Sequence, residues 1–67
     1  MDDKNIVLNK DIKTNVGTSF PEVFKKGTAG KVVFMLDKDT GFAMVEFKIE
    51  NKVYLYSMYK ECFNIID

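Results

Sequence analysis

The sequence predicts a small all-β domain. Short runs rich in Val, Ile, Phe and Tyr alternate with turn signals at nearly regular spacing, a pattern typical of a β-sandwich or barrel. With 67 residues, 46% of them apolar and 30% charged, the chain has the composition of a globular domain and the length for only one. We therefore expect one domain over residues 1–67, with a loose N-terminus at residues 1–4.

Alternating hydrophobicity defines the clearest strand, Phe42–Ile49. In it Val45 and Phe47 share one face, while Glu46 and Lys48 point the other way, which is the period of two expected of a half-buried strand. Its β-branched and aromatic residues also lose rotamer freedom in a helix. The same signals predict four more strands and one short helical turn; the strands cover residues 6–9, 31–36, 53–57 and 64–66, and the turn lies within 58–63.

The turn between the third and fourth strands decides which side chains face inward. A three-residue loop at 50–52 would pair Phe47 with Leu55 and place the aliphatic side chains of both strands on one face. A two-residue loop would instead mix charged and aliphatic side chains on each face. We therefore expect the three-residue loop, which leaves Tyr54 and Tyr56 on the outer face.

Missing residue types argue against an enzyme. Without His, the chain lacks the side chain most used for proton transfer near neutral pH and the commonest zinc ligand. Cys62 is the single cysteine, so it forms no disulfide within the chain and no thiolate metal site by itself. With Glu61 beside it and no His in the chain, Cys62 is expected to fill space in the core and not to act as a reactive thiol. We expect no catalytic residues, no metal and no other cofactor.

Neither export nor membrane insertion is predicted. The first residues lack the basic start and the ~7–15 apolar residues of a signal peptide. The longest apolar run, residues 32–36, is far shorter than the ~20 residues that span a bilayer. We expect a cytoplasmic protein with no membrane contact.

Two turn segments have alternative chemical explanations. Gly27 and Gly30 would suit a phosphate-binding turn, but their spacing is not that of a P-loop, and a turn between strands explains them. Asp37 and Asp39 would suit a metal or an acid–base pair. The later ligands of a calcium loop do not follow them, so a hairpin bend is the better explanation.

An aromatic outer face is the leading candidate for binding. Such a face can bind a protein or unstacked bases, although aromatic residues also simply favour strands and cover a thin barrel wall. Its predicted members on the third and fourth strands and beyond are Phe42, Met44, Tyr54, Tyr56 and Tyr59.

A lysine cluster is the second candidate. Lys25, Lys26 and Lys31 surround the glycine turn and would contact phosphates. Lysines also keep exposed strand edges solvated, which explains them without a ligand. Ten lysines balance ten acids and there is no Arg, so the chain lacks the net positive charge typical of nucleic-acid binding.

The segment Phe-Lys-Lys-Gly-Thr-Ala-Gly-Lys-Val-Val, residues 24–33, resembles the KOW-type turn of NusG-like transcription factors and several ribosomal proteins. A later Val-Glu-Phe strand, residues 45–47, completes the likeness. From residue 6 to residue 66 the chain is also similar to short bacterial proteins of SH3-like build. The resemblance implies a five-stranded SH3-like small barrel with one short helical turn before the last strand.

Three functions follow as hypotheses. The first is a non-catalytic protein-binding module, such as a small accessory or inhibitory protein of a bacterium, phage or plasmid. The alternative is a KOW-like RNA- or DNA-binding module, with lysine contacts to phosphates and stacking by Tyr54 and Tyr56. The third is a homo-oligomer formed through an edge strand or the tyrosine face.

Overall fold

The prediction of an all-β fold is confirmed. A computed structural model describes residues 4–17 and 20–66. It contains a five-stranded antiparallel sheet in the order β6-β5-β4-β1-β7 and a separate pair, β2-β3. The strands are β1 Lys4–Leu8, β2 Ile12–Lys13, β3 Val23–Phe24, β4 Ala29–Asp37, β5 Phe42–Ile49, β6 Lys52–Tyr59 and β7 Phe63–Ile65, and a single 3₁₀ turn, Lys60–Cys62, precedes β7.

The five predicted strands correspond to the five strands of the large sheet. β5 has the predicted bounds, whereas β4 and β6 extend further at both ends. The small pair β2-β3 was not predicted because two residues per strand are too few to show an alternating pattern. Lys4 already belongs to β1, and the rest of the expected loose N-terminus, residues 1–3, lies outside the described residues, as do Thr18 and Ser19.

One face of the sheet forms the core. Val45 and Phe47 of β5 are fully buried, as predicted, and Phe47 stacks on Phe24 of β3 with ring centroids 4.3 Å apart. Burying one such side chain contributes about 1.5–3 kcal/mol. The buried apolar residues are Ile6, Leu8, Phe24, Val32, Ala43, Val45, Phe47, Met58 and Phe63.

Gly30 is needed for close packing rather than for a turn. It lies within β4, and a Cβ atom there would come 2.8 Å from Cε1 of Phe47. Gly27, by contrast, has a φ of 93° in the turn before β4, the left-handed conformation that favours glycine. The two glycines of the predicted turn therefore have different physical roles.

The predicted three-residue loop between β5 and β6 is wrong. Only Glu50 and Asn51 form the turn, and Ile49 pairs directly with Lys52. Both turn residues have positive φ, 50° and 68°, which is the pattern of a type I′ turn. The twist of that turn matches the right-handed twist of the two strands it joins, and this favours it over a longer loop.

Because the loop is one residue shorter, the side chains of residues 53–57 lie on the faces opposite to those predicted. Tyr54 pairs with Phe47 and is half-buried on the inner face, as is Tyr56, so their expected outer placement is wrong. Their rings fill the space beside Phe20, at centroid distances of 5.2 Å and 5.9 Å. Both faces of β6 are apolar, so alternation alone does not select between them.

Candidate functional site

The outer face of β4, β5 and β6 carries a set of apolar side chains that no other described element covers. Directly paired residues in an antiparallel sheet point to the same side, so the register shows which side chains are neighbours. Phe34 pairs with Met44, and Phe42 pairs with Tyr59. We call the set the outer patch; it consists of Phe34, Phe42, Met44, Val53, Leu55 and Tyr59.

Four of the six outer-patch side chains are exposed, and Phe42 and Met44 are half-buried. Phe34 is 60% exposed, Val53 55%, Leu55 53% and Tyr59 50%. Single exposed apolar residues are ordinary on protein surfaces, but several large ones on one sheet face are typical of an interaction site. The patch is therefore the strongest candidate site among the described residues.

Three of the five predicted aromatic-face residues belong to the patch. Phe42, Met44 and Tyr59 lie on the outer face, and the rings of Phe42 and Tyr59 are in contact with centroids 4.7 Å apart. Tyr54 and Tyr56 lie on the inner face, where the hydroxyl of Tyr56 donates a hydrogen bond to the carbonyl of Thr14 at 3.4 Å.

Sequence reasoning missed the three most exposed members of the patch. Val53 and Leu55 were placed inward by the wrong loop length. Phe34 lies after a bulge that shifts the β4–β5 register between Val32 and Phe34. The uninterrupted apolar run at 32–36 was the available signal, because a half-buried strand would show polar residues at alternate positions.

A groove of about 510 Å³ extends from Phe34 toward β7. Phe63 and Ile65 of β7 provide apolar lining, and three exposed lysines also line it: Lys4, Lys38 and Lys60. None of the described lining residues is acidic. The groove therefore combines an apolar surface with a positive edge.

The aliphatic part of the Lys60 side chain lies against the backbone of Gly41. A Cβ atom at Gly41 would lie 2.5 Å from both Cγ and Cδ of Lys60, and Gly41 has a φ of 75°. Glycine at this position thus lets the lysine stem lie close to the backbone at one end of the groove.

The predicted lysine cluster is divided between two surfaces. Lys25 and Lys26 are exposed in the turn before β4, and the backbone N–H of Lys26 donates to Oδ1 of Asp11 at 2.7 Å. Lys31 is half-buried on β4 and pairs with Glu46 across the sheet. Asp11 lies beside Lys26 and Glu46 lies opposite Lys31. These acids weaken the attraction of the lysines for phosphates.

Local structure and packing explain the acidic turn and the cysteine. Asp37 accepts a hydrogen bond from the backbone N–H of Asp39 at 3.0 Å, an Asx turn within the predicted hairpin bend. Cys62 is half-buried against the core. Within residues 4–17 and 20–66, no three His, Cys, Asp or Glu side chains are grouped as metal ligands.

No helix in the described part of the chain has the length and apolarity required to span a membrane. Comparisons with protein-family models, with curated proteins and with solved structures gave no match for this chain.

Proposed function

We propose that this chain is a non-catalytic module that binds another protein through the outer patch. The observation that carries the proposal is the exposure of large apolar side chains from both β4 and β6 on one face of the sheet, where Val53 and Leu55 pair with Lys48 and Glu46. Leaving them in water forfeits about 1.5–3 kcal/mol for each side chain that a partner would bury fully. We place this module in the class of SH3-like small barrels and assign it an accessory or inhibitory role in a bacterium or mobile element.

The charge distribution favours a protein over a nucleic acid. Formal net charge is zero, and the two tyrosines expected to stack bases, Tyr54 and Tyr56, are half-buried on the inner face. The lysines predicted to contact phosphates are also divided between the turn before β4 and β4 itself, so they do not line one exposed aromatic surface. The outer patch instead combines exposed apolar side chains with one acid and one base, Glu46 and Lys48, a mixture found at protein interfaces.

The chemistry of the partner follows from the groove beside the patch. Lys4, Lys38 and Lys60 line that groove, and no described acid lines it. A partner whose apolar contact surface is bordered by Asp or Glu would match both features. Complementary charges at the rim mainly raise the association rate and make it dependent on salt.

The test compares one substitution in the patch with a matched control. Phe34→Lys places a charge at the most exposed residue of the patch, while Val16→Lys places the same charge at a residue that is 56% exposed elsewhere on the surface. Immobilised chains are exposed to extract of the organism that encodes the protein. Any polypeptide retained is identified, purified and titrated against the same three chains.

We expect wild type and Val16→Lys to bind the purified polypeptide equally, and Phe34→Lys to bind it roughly 10–30-fold more weakly, as for an aromatic residue that anchors an interface. Equal binding by all three chains would refute the proposal. Retention that disappears after nuclease treatment would favour the nucleic-acid alternative.

A further inference from the structure

β6 is an unpaired edge of the large sheet. It pairs with β5 on one side, and no strand among residues 4–17 and 20–66 pairs with its other side. The opposite edge, β7, has only three residues, whereas β6 has eight. A long free edge presents a row of backbone donors and acceptors that can pair with another strand.

The two-residue turn identifies which backbone groups are free. In such a hairpin Ile49 and Lys52 form a hydrogen-bonded pair, and hydrogen-bonded and non-hydrogen-bonded pairs then alternate along the ladder. The N–H and C=O groups of Val53, Leu55, Ser57 and Tyr59 therefore point away from β5. The hydrogen bonds between β5 and β6 do not involve these backbone groups.

The chemistry of this edge leaves it open to pairing. Proteins commonly protect free edges with lysine, proline or a bulge. From residue 53 to residue 59 the strand reads Val-Tyr-Leu-Tyr-Ser-Met-Tyr, with no charge and no proline, and its register with β5 is continuous.

We propose that two copies of this chain dimerise by antiparallel pairing of their β6 strands about a two-fold axis at Leu55. Leu55 then pairs with Leu55 of the second copy, and Val53 pairs with its Ser57. Val53, Leu55 and Ser57 of each copy supply about six hydrogen bonds across the axis. The inference is independent of the proposed function, because it uses backbone groups of the edge rather than side chains of the patch.

Charge favours this register over the neighbouring one centred on Tyr56. Centring the pair on Leu55 brings the turn carrying Glu50 beside the 3₁₀ turn of the second copy, which carries Lys60. Centring it on Tyr56 would instead oppose Lys52 to Lys60 of the second copy, a repulsive arrangement. The two-fold arrangement also closes after two copies, because each β6 edge is then occupied.

The test measures mass by sedimentation equilibrium from about 1 μM to about 1 mM, the range of weak to moderate affinities. We expect wild type to rise from the 7.7 kDa of one chain toward twice that mass. Ser57→Pro removes an N–H that points away from β5, so it should weaken dimerisation roughly 30-fold through the loss of two hydrogen bonds per dimer. A constant mass of 7.7 kDa, or growth beyond a dimer, would overturn the proposal.

Two further variants keep the result interpretable if Ser57→Pro misfolds. Phe34→Lys leaves the edge intact and should dimerise like wild type, which separates this proposal from the proposed function. In a Cys62→Ala background, Leu55→Cys should form a disulfide-linked dimer on oxidation, because residues in a hydrogen-bonded pair have Cα atoms ~5.5 Å apart. Val16→Cys is the matched exposed control, and equal crosslinking by both variants would contradict the register.

Discussion

The register of β6 can be tested by truncating two adjacent side chains. Tyr56→Ala removes a half-buried ring from the inner face, where its centroid lies 5.9 Å from that of Phe20 and 6.1 Å from that of Phe24. Full burial of an aromatic residue makes its replacement by Ala cost ~3–5 kcal/mol, so half-burial implies about 2 kcal/mol. Leu55→Ala truncates a side chain that is 53% exposed, and we expect its effect to stay within about 0.5 kcal/mol.

The assay is thermal and urea unfolding followed by circular dichroism, at a protein concentration low enough to keep the chains monomeric. A loss of about 2 kcal/mol in a domain of this size lowers Tm by about 8–16 °C. Tyr56→Phe is the control, because it keeps the ring and loses only the hydroxyl contact with Thr14. Equal destabilisation by Leu55→Ala and Tyr56→Ala would refute the observed register and return the aliphatic side chains to the inner face.

Three other substitutions probe the core and the turn. Phe47→Ala should abolish cooperative unfolding, because a cost of ~3–5 kcal/mol matches the whole stability expected of so small a domain; a sigmoidal urea transition like that of wild type would contradict this. Gly30→Ala should destabilise by about 1–3 kcal/mol, measured in urea, because its Cβ would overlap the Phe47 ring; an unchanged midpoint would exclude that contact. Glu50→Asn should stabilise by about 0.5–1 kcal/mol, measured as a rise in Tm, because Asn tolerates the positive φ of 50° better than Glu does; a fall in Tm would argue against the type I′ turn.

Local patterns predicted the elements of the large sheet well. Phe42–Ile49 was predicted with its bounds, because its inner residues are apolar and its outer residues at 46 and 48 are charged. The helical turn before β7 was also predicted, from a breaker-free segment that ends in the buried Phe63. The pair β2-β3 was missed because strands of two residues carry no periodic signal.

The candidate site was predicted only in part. Phe42, Met44 and Tyr59 were assigned to the outer face correctly, since two of them belong to the strongly patterned β5. Leu55 and Phe34 were missed for different reasons: a loop shorter by one residue in the first case, and a bulge in β4 in the second. The shorter loop and the bulge each shift the strand register by one residue. In a strand, such a shift moves a side chain to the other face.

The amino-acid sequence by itself determined that this chain is an all-β domain, where its main strands lie and which face of β5 is buried. Only the tertiary structure decided which face of β6 is buried, because both of its faces are apolar and alternation has no contrast there. Phe20 and Phe24 are distant from β6 in sequence, and the rings of Tyr54 and Tyr56 pack against them. Long-range packing thereby turned Val53 and Leu55 toward solvent, where they form part of the outer patch on which the proposed function depends.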